Sequence, residues 1–258
     1  MELYIKESGT PGAPTLLFLH GSGTSGWMWE AQTHALADFH CLNIDLPGHG
    51  LSNQVEWVSM ADTADLIAPI IRARATDGRA SLIGLSLGGY VALHALGKYA
   101  DCIDHVVVSG VTAAPPPLGA LQRLQISLMY RFMKSPWFVR AQAKMMFLPN
   151  DVADLYTESM LAMSRVAFKR ILAELYVLKL PDLRHIPVHT LVVAGSKELK
   201  AMVESASLIP GLMPNAQGRL ALGLHHAWNG ENPELFTAMI RAWVSGAPLP
   251  EALQPVTD

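Results

Sequence analysis

The chain has 258 residues, of which 50% are hydrophobic and only 16% are charged, and its formal net charge is −3. This length suits one large domain with an insertion, and the low charged fraction predicts a large core with some apolar surface that lines a pocket or meets another subunit. The sequence has no basic run to neutralise phosphates, so we do not expect nucleic-acid binding.

Short apolar segments bounded by Gly, Pro, Asp or Asn recur along the chain and predict the strands of one sheet. The first, 2–7, alternates polar and apolar residues, as an edge strand does. Several of the others are continuously apolar, which is typical of strands covered on both faces by helices; they lie at 15–19, 41–44, 81–85, 103–108, 190–193 and 218–222. Helix-length segments occur at 27–37, 58–75, 87–99, 199–209 and 232–244. This alternation predicts an α/β fold with a mostly parallel central sheet and helices on both faces.

One interval, 113–187, has no strand pattern. It opens with Pro115, Pro116 and Pro117, which cannot form regular helix or a central strand. Helical segments rich in Met, Leu and aromatic residues follow at 118–133, 137–148 and 151–180. We therefore predict that 113–187 forms a helical cap inserted into a core domain made of 1–112 and 188–258.

The pattern Gly84-Leu85-Ser86-Leu87-Gly88 follows an apolar strand and opens a helix. A G-x-S-x-G sequence in this strand–turn–helix context predicts a nucleophile elbow, in which a strained turn holds the serine hydroxyl out over the sheet. Because a free serine hydroxyl is a poor nucleophile near neutral pH, a base must take its proton. Ser86 is the predicted nucleophile.

The strand 15–19 ends in His20-Gly21-Ser22-Gly23. This loop delivers backbone N–H groups to the carboxyl edge of the sheet, and we expect the N–H groups of Ser22 and Leu87 to form an oxyanion hole. His20 could be the base, but we favour a structural role in bracing its loop.

Two adjacent histidines, His225 and His226, follow the last strand and precede the final helix. The elbow fold orders its triad as nucleophile, acid and histidine, so the base is expected in this loop. We predict His226, with His225 as the alternative.

The acid is expected at the end of the strand 190–193. Glu198, in Gly195-Ser196-Lys197-Glu198, fits by position and could hold the imidazole in the required tautomer. The alternatives are a solvated glutamate at this position and Glu204 in the next helix as the acid.

These features together resemble the α/β-hydrolase superfamily, in its small capped serine esterase and lipase-like branch. The likeness spans nearly the whole chain outside the predicted cap. It includes the D-x-P-G-x-G-x-S loop from Asp45 to Ser52, to which we assign no chemistry. Gly195-x-x-Glu198 is similar to the G-x-x-D turn of that superfamily, with glutamate in place of aspartate. His225-His226 stands where Gly-His is usual.

The resemblance implies a carboxylesterase-like serine hydrolase that works through an acyl-enzyme. A serine nucleophile argues against haloalkane dehalogenases and epoxide hydrolases, which use aspartate. Carbon–carbon bond hydrolases tend to carry tryptophan directly after the histidine, whereas Ala227 precedes Trp228 here. That class, lactonases and acyltransferases stay open as alternatives, as does a non-catalytic ligand-binding receptor on the same scaffold.

The expected partner is a small-molecule ester. No Arg or Lys cluster marks an anionic site, although Arg131, Lys134 and Arg140 could lie near the pocket mouth, so we predict neutral, moderately hydrophobic substrates. No Cys/His spacing indicates a metal, and we expect no metal and no organic cofactor.

The chain has two cysteines, Cys41 and Cys102, which we predict to be buried free thiols. It has no apolar run of the ~18 residues that a membrane span needs, and no basic start followed by an apolar stretch. We expect a soluble, cytoplasmic protein, and a homodimer is compatible with its apolar surface.

Overall fold

The structure is a computed structural model that describes residues 2–116, 119, 132–145, 148 and 150–256, so most of the predicted segment 118–133 lies outside the described residues. Among these residues, eight strands form one sheet: β1 (Ile5–Gly9), β2 (Thr15–Leu19), β3 (His40–Ile44), β4 (Ala80–Leu85), β5 (Ile103–Ser109), β6 (His189–Gly195), β7 (Ala216–Ala221) and β8 (Leu253–Pro255). The strand order is β1-β3-β2-β4-β5-β6-β7-β8. The six inner strands are parallel, and β1 and β8 are antiparallel edges. The predicted mostly parallel α/β sheet is confirmed.

Helices fill the connections between the strands. They are α1 (Glu30–Ala35), α2 (Met60–Arg74), α3 (Leu87–Tyr99), α4 (Pro136–Met145), α5 (Asn150–Ala162), α6 (Arg165–Leu175), α7 (Lys200–Leu208), α8 (Trp228–Glu231) and α9 (Pro233–Ser245). None of these described helices is both long and apolar enough to cross a membrane.

The sequence predictions miss three local features. The prediction of one helical segment over 151–180 is wrong, because a new helix starts after Ser164. The Oγ atom of Ser164 caps this helix by accepting the N–H of Ala167 at 3.4 Å. Strand β8 was not predicted, since it is only three residues long. The segment 27–37 begins as a 3₁₀ turn at Gly26–Trp29 before α1.

The two faces of the sheet are covered by different helices. Leu17 and Leu19 of β2 pack with α2 and α3, whereas the alternate residues Leu16 and Phe18 pack with α9 and with Trp29 before α1. All four leucine and phenylalanine side chains are essentially fully buried. Side chains alternate across a strand, so continuously apolar strands require helices on both faces.

The parallel strands bring their carboxyl ends to one edge of the sheet. The loops that follow β2, β4, β5 and β6 all leave from this edge, because their strands run in register in the same direction. In open α/β sheets, this is the edge at which ligands bind.

Asp45 ties the loop after β2 to the loop after β3. It lies just after β3 and is buried, and its carboxylate accepts the N–H of Gly26 at 2.7 Å and the N–H of Leu51 at 2.8 Å. The D-x-P-G-x-G-x-S pattern that starts at Asp45 therefore has a structural role in fixing the loop after β2.

Two buried imidazoles lie beneath the same loops. The Nε2 atom of His20 accepts the N–H of Leu46 at 2.9 Å, while its Nδ1 atom donates to the carbonyl of Gly21 at 2.8 Å. His49 donates from Nδ1 to the carbonyl of Pro47 at 2.9 Å, and the two ring centroids are 5.0 Å apart. Burial lowers the pKa of His20 to about 4 and the pKa of His49 to about 3, so both rings are neutral near pH 7.

We expect the free energy of unfolding to fall as the pH drops from 7 to 5. The unfolded chain binds protons on both histidines below pH ~6.5, while the folded chain resists them until far lower pH. Each histidine then contributes a loss of about 2 kcal/mol over this interval. Urea unfolding at both pH values measures the loss.

The variant His49→Gln should remove about half of this histidine-dependent loss, whereas His185→Gln, at an exposed position, should leave it unchanged. An equal pH dependence in the wild type and in His49→Gln would contradict the assignment.

Candidate active site

Ser86 occupies a strained turn between β4 and α3. Its φ is 54° and its ψ is −115°, a backbone conformation that residues other than glycine rarely adopt. The Ser86 N–H donates to the carbonyl of Ser109 at 2.8 Å, and its own carbonyl accepts the N–H of Tyr90 at 3.1 Å. A Cβ at Gly88 would lie 2.0 Å from the carbonyl oxygen of Leu19, so only glycine lets this turn lie so close to β2.

The two residues predicted to form the oxyanion hole, Ser22 and Leu87, lie in different parts of the fold. Leu87 is the first residue of α3, where a helix leaves its N–H groups without intrahelical partners. Ser22 and Ser86 line the same cavity, and Ser22 lies in the loop after β2. Ser22 therefore lines the cavity together with Ser86, and Leu87 directly follows Ser86 at the start of α3.

Glu198 and His226 form a hydrogen-bonded pair across two loops. The Nδ1 atom of His226 donates to Oε2 of Glu198 at 2.8 Å, and the glutamate side chain is fully buried. The second carboxylate oxygen, Oε1, accepts the N–H of Gly195 at 2.8 Å, which fixes the side chain against the end of β6. Because Nδ1 carries the proton in this arrangement, Nε2 of His226 is the nitrogen with a free lone pair.

The alternative residues lie elsewhere. Nδ1 of His225 donates to Oε1 of Glu231 at 3.1 Å, whereas His226 lines the cavity with Ser86. Glu204 forms an exposed ion pair with Lys200 on α7 at 3.5 Å. The structure thus brings together Glu198 and His226, the preferred predictions for the acid and the base. Ser86 lines the same cavity as His226.

Sequence reasoning missed Gly110, which makes room for this pair. Its φ is +67°, and a Cβ there would lie 2.5 Å from Cε1 of His226 and 3.3 Å from Oε2 of Glu198. Trp228 was also missed: its Nε1 donates to Oγ of Ser109 at 2.8 Å and anchors the histidine loop to β5. A glycine two residues after the predicted strand 103–108 was the one available sequence signal.

Asn229 links the histidine loop to the loop after β2. Its Nδ2 donates to the carbonyl of Met28 at 2.9 Å, and its own carbonyl accepts a hydrogen bond from Gln32 at 2.8 Å. The loops that carry His226 and Ser22 are therefore held in one geometry.

The cavity at this edge has a volume of about 300 Å³ and is mostly apolar. Its lining includes Ser86 and His226 and, from the segment between β5 and β6, Leu148 and Val152, Leu155 and Tyr156 of α5.

Of the basic residues predicted near the mouth, Arg131 lies outside the described residues, and Arg140 is exposed on α4. Lys134 is buried, donates to the carbonyl of Met163 and has its pKa lowered to about 8 by desolvation.

Known proteins with related sequences match this chain over different lengths. An AB hydrolase superfamily protein of Gibberella zeae is 25% identical over 259 residues, which covers 97% of this chain and 86% of that protein. An esterase of Mycobacterium tuberculosis is 31% identical over 49% of this chain and 44% of its own length. A 2-succinyl-6-hydroxy-2,4-cyclohexadiene-1-carboxylate synthase of Escherichia coli is 36% identical over 40% of each chain.

The fold also matches solved structures. A thermophilic esterase from Thermogutta terrifontis superposes with a TM-score of 0.78 at 24% identity, covering 95% of this chain and 93% of that one. The characteristic sequence pattern of the alpha/beta hydrolase family matches residues 16–239. The strained turn at Ser86 and the strand order agree with this match, and the chain belongs to the alpha/beta hydrolase family.

Proposed function

We propose that the protein is a carboxylesterase-like serine hydrolase that cleaves neutral, moderately hydrophobic carboxylic esters through an acyl-enzyme. The observation that carries the proposal is the 2.8 Å hydrogen bond from His226 to the buried Glu198, in a site whose cavity is shared by His226 and Ser86. A positioned base next to a strained serine turn is the requirement for nucleophilic acyl transfer.

In the first half-reaction, Oγ of Ser86 attacks the ester carbonyl carbon while Nε2 of His226 takes the hydroxyl proton. The carbonyl oxygen becomes an oxyanion, which the N–H groups of Leu87 and Ser22 stabilise. When the tetrahedral intermediate collapses, His226 gives its proton to the departing alkoxide, and the alcohol leaves.

In the second half-reaction, Nε2 of His226 takes a proton from water, and the resulting hydroxide attacks the acyl carbon. Collapse of this intermediate breaks the bond to Oγ of Ser86, which regains its proton from His226. Glu198 keeps the imidazole in the productive tautomer and stabilises its charged form throughout.

The apolar lining supports a neutral ester as the substrate. Glu231 is the acidic side chain among the described lining residues, and those residues include no Arg or Lys. A compound that carries carboxylates, such as the one named for the E. coli synthase, favours cationic partners in its site. The described lining therefore favours ester hydrolysis over that synthase activity.

The helices between β5 and β6 act as the cap of this site. Val152 and Leu155 of α5 line the cavity, and we expect α5 to restrict access of water to the acyl-enzyme. A water-poor site strengthens the electrostatic interactions that stabilise the oxyanion.

The variant Ser86→Ala should lose kcat by more than about a thousandfold, because no other group can form the acyl-enzyme. Hydrolysis of p-nitrophenyl esters of increasing chain length measures this loss and gives the acyl length that the cavity prefers. Ser245→Ala, at an exposed position in α9, is the matched control and should retain wild-type rates. Wild-type turnover by Ser86→Ala would refute the assigned nucleophile.

The variants Glu198→Ala and Glu204→Ala separate the two candidate acids. Loss of Glu198 should lower kcat by about a hundredfold, less than the loss of Ser86, since it orients the base and supports its charge. Glu204→Ala should retain activity, because its exposed ion pair with Lys200 contributes little. The opposite ranking in steady-state assays would exclude Glu198 as the acid.

The two adjacent histidines can be separated in the same way. His226→Ala should lose as much activity as Ser86→Ala, since nucleophile and base act as a unit. His225→Ala removes the hydrogen bond from the imidazole to Glu231 and should change kcat by less than about threefold. A large loss in His225→Ala with a small one in His226→Ala would reverse the assignment.

A further inference from the structure

Tyr156 lies in the wall of the cavity, on the inner side of α5. Its side chain is only 3% exposed, and it lines the cavity together with Ser86 and His226. The helix that carries it is fixed to the loop after β2, because Nε1 of Trp27 donates to Oγ of Ser159 at 2.8 Å. The position of Tyr156 relative to the reacting groups is therefore set by the fold.

The phenol hydroxyl of Tyr156 has no hydrogen-bond partner among residues 2–116, 132–145 and 150–256, nor at 119 or 148. Desolvation raises the pKa of Tyr156 to about 12, so the hydroxyl keeps its proton at neutral pH. A buried donor without a partner costs free energy. Solvent in an unliganded pocket can accept this hydrogen bond, but a substrate that fills the pocket displaces that solvent.

The other polar side chains of the described lining, apart from the proposed machinery of Ser22, Ser86 and His226, already have partners. Thr24 donates to the carbonyl of Gly21, Trp27 donates to Ser159, Asn229 donates to Met28, and Glu231 accepts from His225. Within the described residues, Tyr156 is therefore the lining group on the helices between β5 and β6 that is available to recognise a polar atom of the substrate, and the Ser22 hydroxyl lies in the loop after β2.

We propose that the hydroxyl of Tyr156 donates a hydrogen bond to a second oxygen of the substrate, apart from the reacting ester group. The preferred substrates are then esters with an ether, hydroxyl or carbonyl oxygen in one of their chains, not plain alkyl esters. This inference rests on the proposed ester hydrolysis and specifies its substrate class.

The physical basis is the cost of leaving the donor unpaired. An alkyl chain that fills the cavity buries the hydroxyl against methylene groups, whereas an ether oxygen of nearly the same size accepts its hydrogen bond. Sites built to pair with a substrate polar group discriminate strongly against analogues that lack it. Tyr156→Phe removes the donor and leaves the ring, so it should abolish this discrimination while keeping the shape of the pocket.

The test compares alkyl esters with isosteric esters in which one methylene is replaced by an ether oxygen. The replacement is moved along the acyl chain in one series and along the alcohol chain in another. Each kcat/KM is divided by the rate constant for hydroxide-catalysed hydrolysis of the same ester, which removes the intrinsic effect of the oxygen on reactivity. The readout is the ratio of ether ester to alkyl ester within one variant, so it does not depend on the fraction of folded enzyme.

In the wild type, we expect the ether oxygen at the best position to raise this ratio about five- to tenfold. In Tyr156→Phe the ratio should fall to about one. Tyr99→Phe, which loses a surface hydrogen bond to Asp65, is the matched control and should keep the wild-type ratio. A wild-type ratio near one at every position, or an undiminished ratio in Tyr156→Phe, would overturn the proposal.

Equilibrium binding distinguishes a failure of this inference from a failure of the proposed function. The Kd values of the same ester pairs are measured on Ser86→Ala, with and without Tyr156→Phe. A preference for the ether ester that is lost with the hydroxyl supports the role of Tyr156, even if the wild type turns over no ester. Equal Kd values in both backgrounds overturn it, even if ester hydrolysis is established.

Discussion

The hydrogen bond between His226 and Glu198 determines how the rest of the site is arranged. It joins two loops that follow β6 and β7, and its 2.8 Å length leaves little freedom for either side chain. Two neighbouring glycines support this hydrogen bond. The Gly195 N–H donates to the other carboxylate oxygen of Glu198, and Gly110 leaves space beside the imidazole of His226. If His226 is the base, as we propose, this arrangement needs no rearrangement at the moment of proton transfer, which is the main advantage of a preorganised site.

The sequence allowed good prediction where the constraint is local. The turn at Ser86 needs glycine at a position that backbone atoms approach closely, and the flanking strand and helix are recognisable from their own residues. The choice between Glu198 and Glu204, and between His225 and His226, depends on contacts across 28 residues or more, which no local pattern encodes. The role of Gly110 was hidden for the same reason, since the atoms it accommodates belong to distant loops. The break at Ser164 was missed because a serine cap inside an amphipathic segment resembles any exposed serine.

The coupling between α5 and the loop after β2 connects the fold to the chemistry. Ser159 accepts a hydrogen bond from Trp27, and Asn229 ties the same loop to the histidine loop. A displacement of α5 would therefore disturb the loop that carries Ser22 as well as the shape of the cavity. Under the proposed mechanism, substrate contacts made by α5 can affect the stabilisation of the oxyanion, and binding energy remote from the carbonyl can contribute to rate.

Burial distinguishes His20 and His49 from His226. His20 and His49 are completely enclosed, so the imidazolium form is costly and both rings remain neutral hydrogen-bonding groups. A general base must carry a positive charge during each half-reaction, which neither of these rings can do at moderate cost. The side chain of His226 is 24% exposed and faces a carboxylate, an environment that accommodates that charge. Under the proposed mechanism, burial therefore argues against His20 as the base and supports the histidine beside Glu198.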